Sequence, residues 1–477
     1  MKMIKNKEIT SRDENFADWY TNIVQKAGIV DYSSVKGFII LAPNGYAIWE
    51  NIQSIMNKKL KETGHQNVYM PLLIPESLLQ KEAEHIEGFA PEVAWVTQGG
   101  LNKLEERLCI RPTSETLFCD YYSKIVKSYR DLPKKYNQWC NIVRWEKETR
   151  PLLRSREFLW QEGHTIHATH EEAEKETLDM LNIYKQFFEE YLAIPVIAGR
   201  KTEKEKFAGA EYTYTIEALM HNGIALQSGT SHYLGQHFSK PFEMKFLDKD
   251  NQLKYVEQTS WGISTRALAG LVMVHGDDNG LVLPPKIAPN KIVVIPIGKD
   301  DKVTEKCDYI YKKLNENNIS CIIDNSDRSA GYKFAQYEME GIPIRIELGP
   351  HDLEQNQITV ARRDNGEKST LKIDDDLIGN INKLLDTIQK DMFNRAKKSR
   401  DERTYQAHTL EEIEKIINTK PGFIKAMWCG DQKCEEEIKK INGTKSRCMP
   451  FDQTPIGDKC AVCGKPAKYL VVWGIQY

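Results

Sequence analysis

The sequence predicts an α+β protein whose main part is an antiparallel sheet with helices to one side. Between Gln138 and His164 two β-type runs, QWCNIVRWEKE and REFLWQEGH, flank the basic, turn-like ETRPLLRS, which is the pattern of a long antiparallel hairpin. Later β-type runs, GIALQSGTSHYLG and YVEQTSWG, follow one another, so strand succeeds strand. Beyond the turn-rich LVLPPKIAPN near residue 290 strands and helices alternate instead, as in a small α/β domain.

Phe16, Trp19, Tyr20, Ile23 and Val24 recur at helical spacing between about Asp13 and Gly28, and Trp49, Ile52, Ile55, Met56 and Leu60 do so before Gly64. The next run, NVYMPLLIP, reads as a strand, and Pro71 confines it to an edge or an interface because proline has no N–H for a ladder. A helix is expected from Glu172 to Tyr191, with Thr177, Met180, Leu181, Tyr184, Phe187, Phe188 and Tyr191 on its buried side, and another begins near Ser264. In the α/β part the order is KIVVIPIG, a helix at Thr304–Asn317, SCIIDN, a helix at Gly331–Glu340, IPIRIELG and ITVARRD. The charged RAKKSRDER at 395–403 then leads to a C-terminal module that holds four paired cysteines. The expected division is 1–289, 290–395 and 396–477.

Of the 477 residues, 40% are hydrophobic and 28% charged, a globular balance that excludes extended disorder. The net charge of −2 means that a polyanionic partner has to be met by a local basic surface. The opening MKMIKNKEITSRDENF lacks the apolar core of a signal peptide, and no stretch approaches eighteen uncharged apolar residues. A soluble cytosolic protein with no membrane contact is expected. In a reducing compartment Cys429-x4-Cys434 and Cys460-x2-Cys463 read as two chelating loops for a tetrahedral zinc, structural because four protein thiolates close it.

The hairpin concentrates Arg144, Glu146, Arg150, Arg154 and Arg156. Arg144 and Glu146 are two apart, so on a strand both face the same way, and a guanidinium beside a carboxylate suits a nucleotide phosphate and an amino group. An arbitrary hairpin carries such charges as a surface salt-bridge ladder, so the feature acquires meaning only from its company.

That company is the helix and proline-bearing segment at 46–71, the R-x-E hairpin, and GISTRALAGLVMVHGDDNG, which in this order resemble motifs 1, 2 and 3 of class II aminoacyl-tRNA synthetases. RPTSET, RWEKETRPLLRSREFLWQEGHT, KFAGAEYTYTIEAL, LQSGTSHYLGQHFSK and SWGISTR narrow the resemblance to the prolyl-tRNA synthetases of the archaeal and eukaryotic type. It runs from FADWY to Tyr477. The resemblance implies a class II antiparallel sheet with flanking helices, an α/β anticodon-binding domain, a small zinc-binding α+β C-terminal domain, and ATP-dependent ligation of proline to tRNA(Pro) through a prolyl-adenylate. ATP would come with Mg2+, and motif 1 would form a homodimer interface.

Carried onto this chain, the family pattern makes Arg144 and Arg266 catalytic. Arg144 would hold the α-phosphate and the activated carbonyl, Glu146 would accept from the adenine amine, and Arg154 and Arg266 would bind the γ-phosphate end. Gln227, Thr230 and Ser264 complete the nucleotide site. Thr113 and Glu115 would receive the secondary ammonium of proline, while Trp160, Glu162, Phe207 and His232 form and close the ring pocket beside Arg144. Glu340, Arg345 and Arg363 are candidate anticodon contacts. Two rivals are a synthetase-like RNA-binding protein that has lost catalysis, which should lack motif arginines, and a threonine enzyme, which needs a catalytic zinc pocket absent from these motifs. Arg144 and Arg266 are 266 − 144 = 122 residues apart, which leaves no room for the editing domain that bacterial-type members insert there.

Overall fold

The computed structural model describes residues 9–81 and 93–477. Its centre is a sheet of eleven strands: β1 (Gln66–Asn67), β2 (Lys134–Val143), β3 (Glu157–His167), β4 (Val196–Arg200), β5 (Tyr212–Leu219), β6 (Ala225–Gly235), β7 (Glu257–Ser264), β8 (Thr404–Ala407), β9 (Phe423–Trp428), β10 (Lys445–Pro450) and β11 (Tyr469–Gly474). Across the sheet the order is β8-β9-β11-β10-β4-β5-β6-β7-β3-β2-β1. The expected hairpin is β2 and β3, in register from Lys134 opposite Ile166 to Val143 opposite Glu157. β7, β6 and β5 extend it antiparallel. At Gly163 a Cβ would lie 1.9 Å from the Trp261 ring. Glycine there lets the indole of β7 lie across β3.

Four helices share one apolar core with this sheet: α1 (Phe16–Lys26), α2 (Pro43–Glu62), α3 (His170–Glu190) and α4 (Arg266–His275). α3 shows why the sequence folds this way. The Thr169 side chain caps it by accepting from the N–H of Glu172, Glu171 and Glu172 complement the helix dipole, and Ala173, Thr177, Met180, Leu181, Tyr184, Phe187 and Phe188 form its buried stripe. The stripe lies on β5, β6 and β7, where Ser231 Oγ donates to the carbonyl of Thr177 at 2.7 Å. α2 opens with Pro43, whose missing N–H costs a first turn nothing.

The run NVYMPLLIP is not one strand. Only Gln66–Asn67 pairs with β2, in parallel, at the sheet's end, and Leu73–Pro75 joins a separate three-stranded sheet with Asn102–Ile110 and Ala94–Gly99. Side chains satisfy the backbone between. Gln138 Oε1 accepts from the N–H of Met70 at 2.9 Å, and the fully buried Arg111 guanidinium donates to the carbonyls of Met70 at 2.6 Å and Pro71 at 3.3 Å. Arg144 and Glu146 lie just past the end of β2, so strand alternation does not set their directions.

Residues 291–373 fold about a five-stranded sheet with the expected alternation. Its first pairings, Ile292–Pro296 with Cys321–Ile323 and with Ile344–Leu348, are parallel. Its edge strand Lys368–Lys372 escaped the sequence reading because KSTLK is polar and mostly exposed, with no apolar alternation to mark it. The stretch 395–403 is the end of a 26-residue helix, α5 (Leu377–Glu402), so a boundary at residue 395 falls inside a helix. The C-terminal strands then join the central sheet, since β10 pairs with β4, Pro450 opposite Gly199. A Cβ at Gly199 would lie 2.3 Å from the carbonyl oxygen of Met449. No described helix is long and apolar enough to cross a membrane.

Behind β2, Glu176 of α3 lies 2.6 Å from His65 Nε2 and 2.5 Å from Lys135 Nζ. Burial alone pushes this carboxyl up, but the hydrogen bonds and charges of His65 and Lys135 win and hold it at about 2. A carboxylate depressed below its ordinary 4.5 stabilises the fold above that pH, and the contribution is lost as pH falls toward about 2. Glu176→Gln is expected to destabilise the protein at pH 7 by about 3–5 kcal/mol, since it leaves buried His65 and partly buried Lys135 without their carboxylate. Urea denaturation followed by tryptophan fluorescence checks this: an unchanged midpoint at pH 7 would contradict it, and the acid-side loss should shrink in the variant.

Candidate active site

Strands β3, β5, β6 and β7 wall a cavity of about 260 Å³. Thr113, Glu115, Arg144, Trp160, Glu162, Phe207, Gln227, Thr230, His232, Ser264 and Arg266 all line it. Glu146 and Arg154 stand outside the lining, in the β2–β3 loop, with Arg154 Nε 4.0 Å from Glu146 Oε2.

One end of the cavity is built for a cationic group beside an apolar one. The Thr113 hydroxyl donates to Glu115 Oε2, and Glu115 opens the helix Glu115–Ile125. Glu162 accepts from Gln138 Nε2 at 2.5 Å and lies 3.0 Å from His164 Nε2. Burial raises the Glu162 pKa, yet the hydrogen bond and charge of His164 with bonds from Ser114 and Gln138 leave it lowered. Burial lowers His164, and Glu162 and Glu115 more than reverse that. Glu162 is therefore ionised at neutral pH and favours protonation of His164, whose imidazole stacks on Phe118 at 4.3 Å. Burial, helped by His164 and Lys201, drives His232 down to about 3, so it is neutral. Its ring packs on Phe207 at 4.8 Å, and Thr213 Oγ1 ties the two, 2.9 Å from His232 Nδ1 and accepting from the Phe207 N–H at 3.0 Å. Trp160 donates Nε1–H to Cys140 Sγ at 3.2 Å.

The other end is cationic. Arg144 donates Nε–H to the carbonyl of Pro112 at 3.1 Å and lies 5.7 Å from the Phe158 and Trp160 ring centres. Arg266 donates to the carbonyl of Leu153 at 3.3 and 3.0 Å. Burial first, then the like charges of Arg144 and Arg154, lower Arg266 to about 10, which still leaves it charged at neutral pH. Crowded guanidinium groups suit a polyanion. Ser260 also lines the cavity, its Oγ buried and without a protein partner among the described residues, which suits a polar ligand.

Sequence reasoning missed His164, Thr213, Ser260 and Lys201. His164 was available to it, because Trp160, Glu162 and His164 share one face of β3 by period-two alternation. Lys201 carries no local signal; only the pairing of β4 with β5 brings it here.

The anticodon candidates are placed less simply. Arg345 lies between Glu338 at 3.0 Å and Glu347 at 2.9 Å, over the Phe334 ring. Glu340 is half-buried, raised by burial, and accepts from Gln336 Nε2 at 3.1 Å. The Arg363 guanidinium donates to both Asp277 oxygens, at 2.8 and 2.6 Å, and to the Glu338 carbonyl at 2.8 Å, so it joins the two segments. Tyr477 lies outside the cavity lining. Its hydroxyl accepts from Asn222 Nδ2 at 2.7 Å, and its ring faces Arg150 of the β2–β3 loop at 5.4 Å.

Cys429, Cys434, Cys460 and Cys463 converge, with every sulfur within 4.8 Å of the others. Cys429 Sγ is 3.7 Å from both Cys434 Sγ and Cys463 Sγ. A tetrahedron with metal–sulfur bonds of about 2.3 Å has edges of about 3.8 Å. The four thiols fit such an ion.

Residues 95–275 match the family model described as the tRNA synthetase class II core domain (G, H, P, S and T), residues 291–384 that of the anticodon binding domain, and residues 410–477 that of the prolyl-tRNA synthetase C-terminal domain. The chain is 60% identical over 471 residues to a proline–tRNA ligase of Clostridium novyi (strain NT), and 59% over 470 residues to one of Lachnoclostridium phytofermentans, covering 98% of each chain. It is 60% identical over 474 residues to proline–tRNA ligase 2 of Bacillus cereus (strain ATCC 14579), again at 98% of both.

Proposed function

The chain belongs to the proline–tRNA ligase family of class II aminoacyl-tRNA synthetases, and on that premise we propose that it joins L-proline to tRNA(Pro) at the expense of ATP. The observation that carries the reading is the junction, in one cavity, of an acidic and hydroxyl pair against an aromatic wall with a cluster of arginines. In the first step a proline carboxylate oxygen attacks the α-phosphate and pyrophosphate leaves. The tRNA 3′-terminal hydroxyl then attacks the carbonyl and releases AMP.

Each residue has a role in this reading. Thr113 and Glu115 receive the two N–H groups of the secondary ammonium, and Trp160, Phe207 and His232 enclose the ring, with Glu162 held ionised by His164 beneath them. Arg144, fixed by the Pro112 carbonyl, meets charge that grows on the α-phosphate and carbonyl. Arg266 and Arg154 meet the leaving pyrophosphate, Glu146 accepts from the adenine amine, and Gln227, Thr230 and Ser264 hold the nucleoside. Catalysis is by orientation and charge, with no protein nucleophile. Magnesium accompanies ATP on its phosphates and offsets their charge. The 291–384 segment would read the anticodon, with Glu340 and Arg345 as candidates, and the Cys429, Cys434, Cys460 and Cys463 cluster would hold a structural zinc. A homodimer through motif 1 is supported by the exposed Tyr46, Tyr69 and Leu72 beside the open end of the sheet at β1. We place the protein in the cytoplasm, where its partners are.

Proline-dependent exchange of pyrophosphate into ATP, run against a panel of amino acids, tests the activity; exchange with another amino acid but not with proline would overturn it. Arg144→Ala should lower the exchange rate by about 10²–10³-fold with the fold intact, the loss seen when one charge-stabilising donor is deleted. An exchange rate near that of the native enzyme would remove Arg144 from the chemistry.

Zinc should be present at one ion per chain and be released by replacing Cys460 and Cys463 with Ser. Elemental analysis that finds none in the native protein would refute the site.

Between Arg144 and Arg266 lie the β2–β3 loop, strands β3 to β7, α3 and one small two-stranded sheet, Lys245–Leu247 with Leu253–Tyr255. Alanine is smaller than proline, and each missing methylene is worth only about 1–3 kcal/mol of discrimination. Some alanine should be charged, and the chain by itself should not clear alanyl-tRNA(Pro). Ester hydrolysis of that preformed substrate well above the spontaneous rate would reveal an editing site in the protein.

A further inference from the structure

The segment 201–207 supplies Lys201, Glu205, Lys206 and Phe207 to the cavity. Its shape is set at Thr202, whose carbonyl accepts from the N–H groups of Glu205 at 3.2 Å and Lys206 at 3.0 Å, making the turn that delivers Phe207. Thr202 in turn is held from the far end of the chain. Its hydroxyl donates to Glu435 Oε1 at 2.9 Å and lies 2.9 Å from Ser446 Oγ, which donates to the same oxygen at 2.6 Å. All three side chains are buried, Glu435 on α6 (Gln432–Lys439) and Ser446 on β10. The neighbouring residue is tied the same way. Lys201 Nζ donates to Glu217 Oε1 at 2.7 Å, and Arg447 Nε donates to Glu217 Oε2 at 3.2 Å, an ion chain with at most 2% side-chain exposure. Removing Arg447 leaves one buried carboxylate with one buried ammonium, and removing Thr202's hydroxyl frees the turn.

We infer that Thr202, Glu435, Ser446 and Arg447 are positioning residues for the amino-acid pocket: the C-terminal segment clamps the 201–207 wall and so places Phe207 against His232. None of the four reaches into the cavity, and they act through Thr202 and Lys201. The inference rests on the reading that Phe207 and His232 close the ring pocket. Because Phe207 encloses the apolar ring of the substrate and not its reacting carboxylate, loosening it weakens ground-state and transition-state binding alike, a change in KM more than in kcat.

Steady-state pyrophosphate exchange on the full-length protein decides it. Absence of proline-dependent exchange in the native enzyme would overturn the proposed function, not the clamp. With exchange present, Thr202→Val should raise the KM for proline by about tenfold or more while kcat moves by less than about threefold, and Thr202→Ser, which keeps the hydroxyl, should restore the native KM. Arg447→Lys should act in the same direction. Glu437→Gln, on α6 but paired only with Lys440 on the surface, should match the native enzyme. Should Arg447→Lys fail to fold, Thr202→Val carries the decision. If Thr202→Val folds and keeps its proline KM within about twofold of native, or if Thr202→Ser fails to restore it, the contacts merely fasten the C-terminal segment and the inference is wrong.

Discussion

Guanidinium groups repel, and here Arg144, Arg154 and Arg266 stand close enough that the first two add to burial, the larger cause, in lowering the proton affinity of Arg266. Nothing in the side chains themselves achieves that. Each group has to be held by a backbone that cannot relax away, and the sheet provides it. Arg144 is pinned at the end of β2 by the Pro112 carbonyl, and Arg266 at the start of α4 by the carbonyl of Leu153, in the very loop that carries Arg154. An open arrangement would relieve the repulsion; the bonds to the Pro112 and Leu153 carbonyls oppose it. In the proposed function the arginine cluster is electrostatic work held in place before a polyphosphate arrives, which is the sense in which the site is preorganised.

The same rigidity explains the polar underside of the cavity. Buried charges are tolerated only with partners, and the sheet pairs them systematically: Glu162 with His164, Glu176 with His65 and Lys135, Glu217 with Lys201 and Arg447. The third of these crosses from the C-terminal strands into the catalytic ones. With β10 laid on β4 and Gly199 admitting the Met449 carbonyl, the C-terminal segment is an extension of the catalytic sheet, not a separately tethered module. Arg363 with Asp277, and the Gln389 side chain donating to the Glu190 carbonyl at 2.9 Å, fasten the 291–384 segment and α5 to the same body. A sheet that runs from the cysteine cluster to motif 1 gives distant parts of the chain a mechanical route to the cavity.

Much was legible in the chain itself. Helical stripes such as Trp19, Tyr20, Ile23 and Val24, the long hairpin, the β-run succession and the two cysteine pairs are local patterns, set by 3.6- and 2-residue periods and by chelate spacing, and the structure reproduces them. The motif residues Thr113, Glu115, Arg144, Trp160, Phe207 and His232 were also readable, because their neighbours in sequence resemble a family.

What only the tertiary structure decided was everything that depends on residues far apart being pressed together. Pro71's segment breaks as a strand because Arg111 and Gln138, from elsewhere, satisfy its backbone, and Arg363 ties two segments together because Asp277 lies beside it. Lys201, Thr202 and Arg447 look like ordinary surface polar residues in the sequence, and become a buried clamp only when β10 docks on β4. Local propensity and spacing act through neighbours along the chain and so can be read there; burial and charge pairing act through neighbours in space, which the sequence does not list.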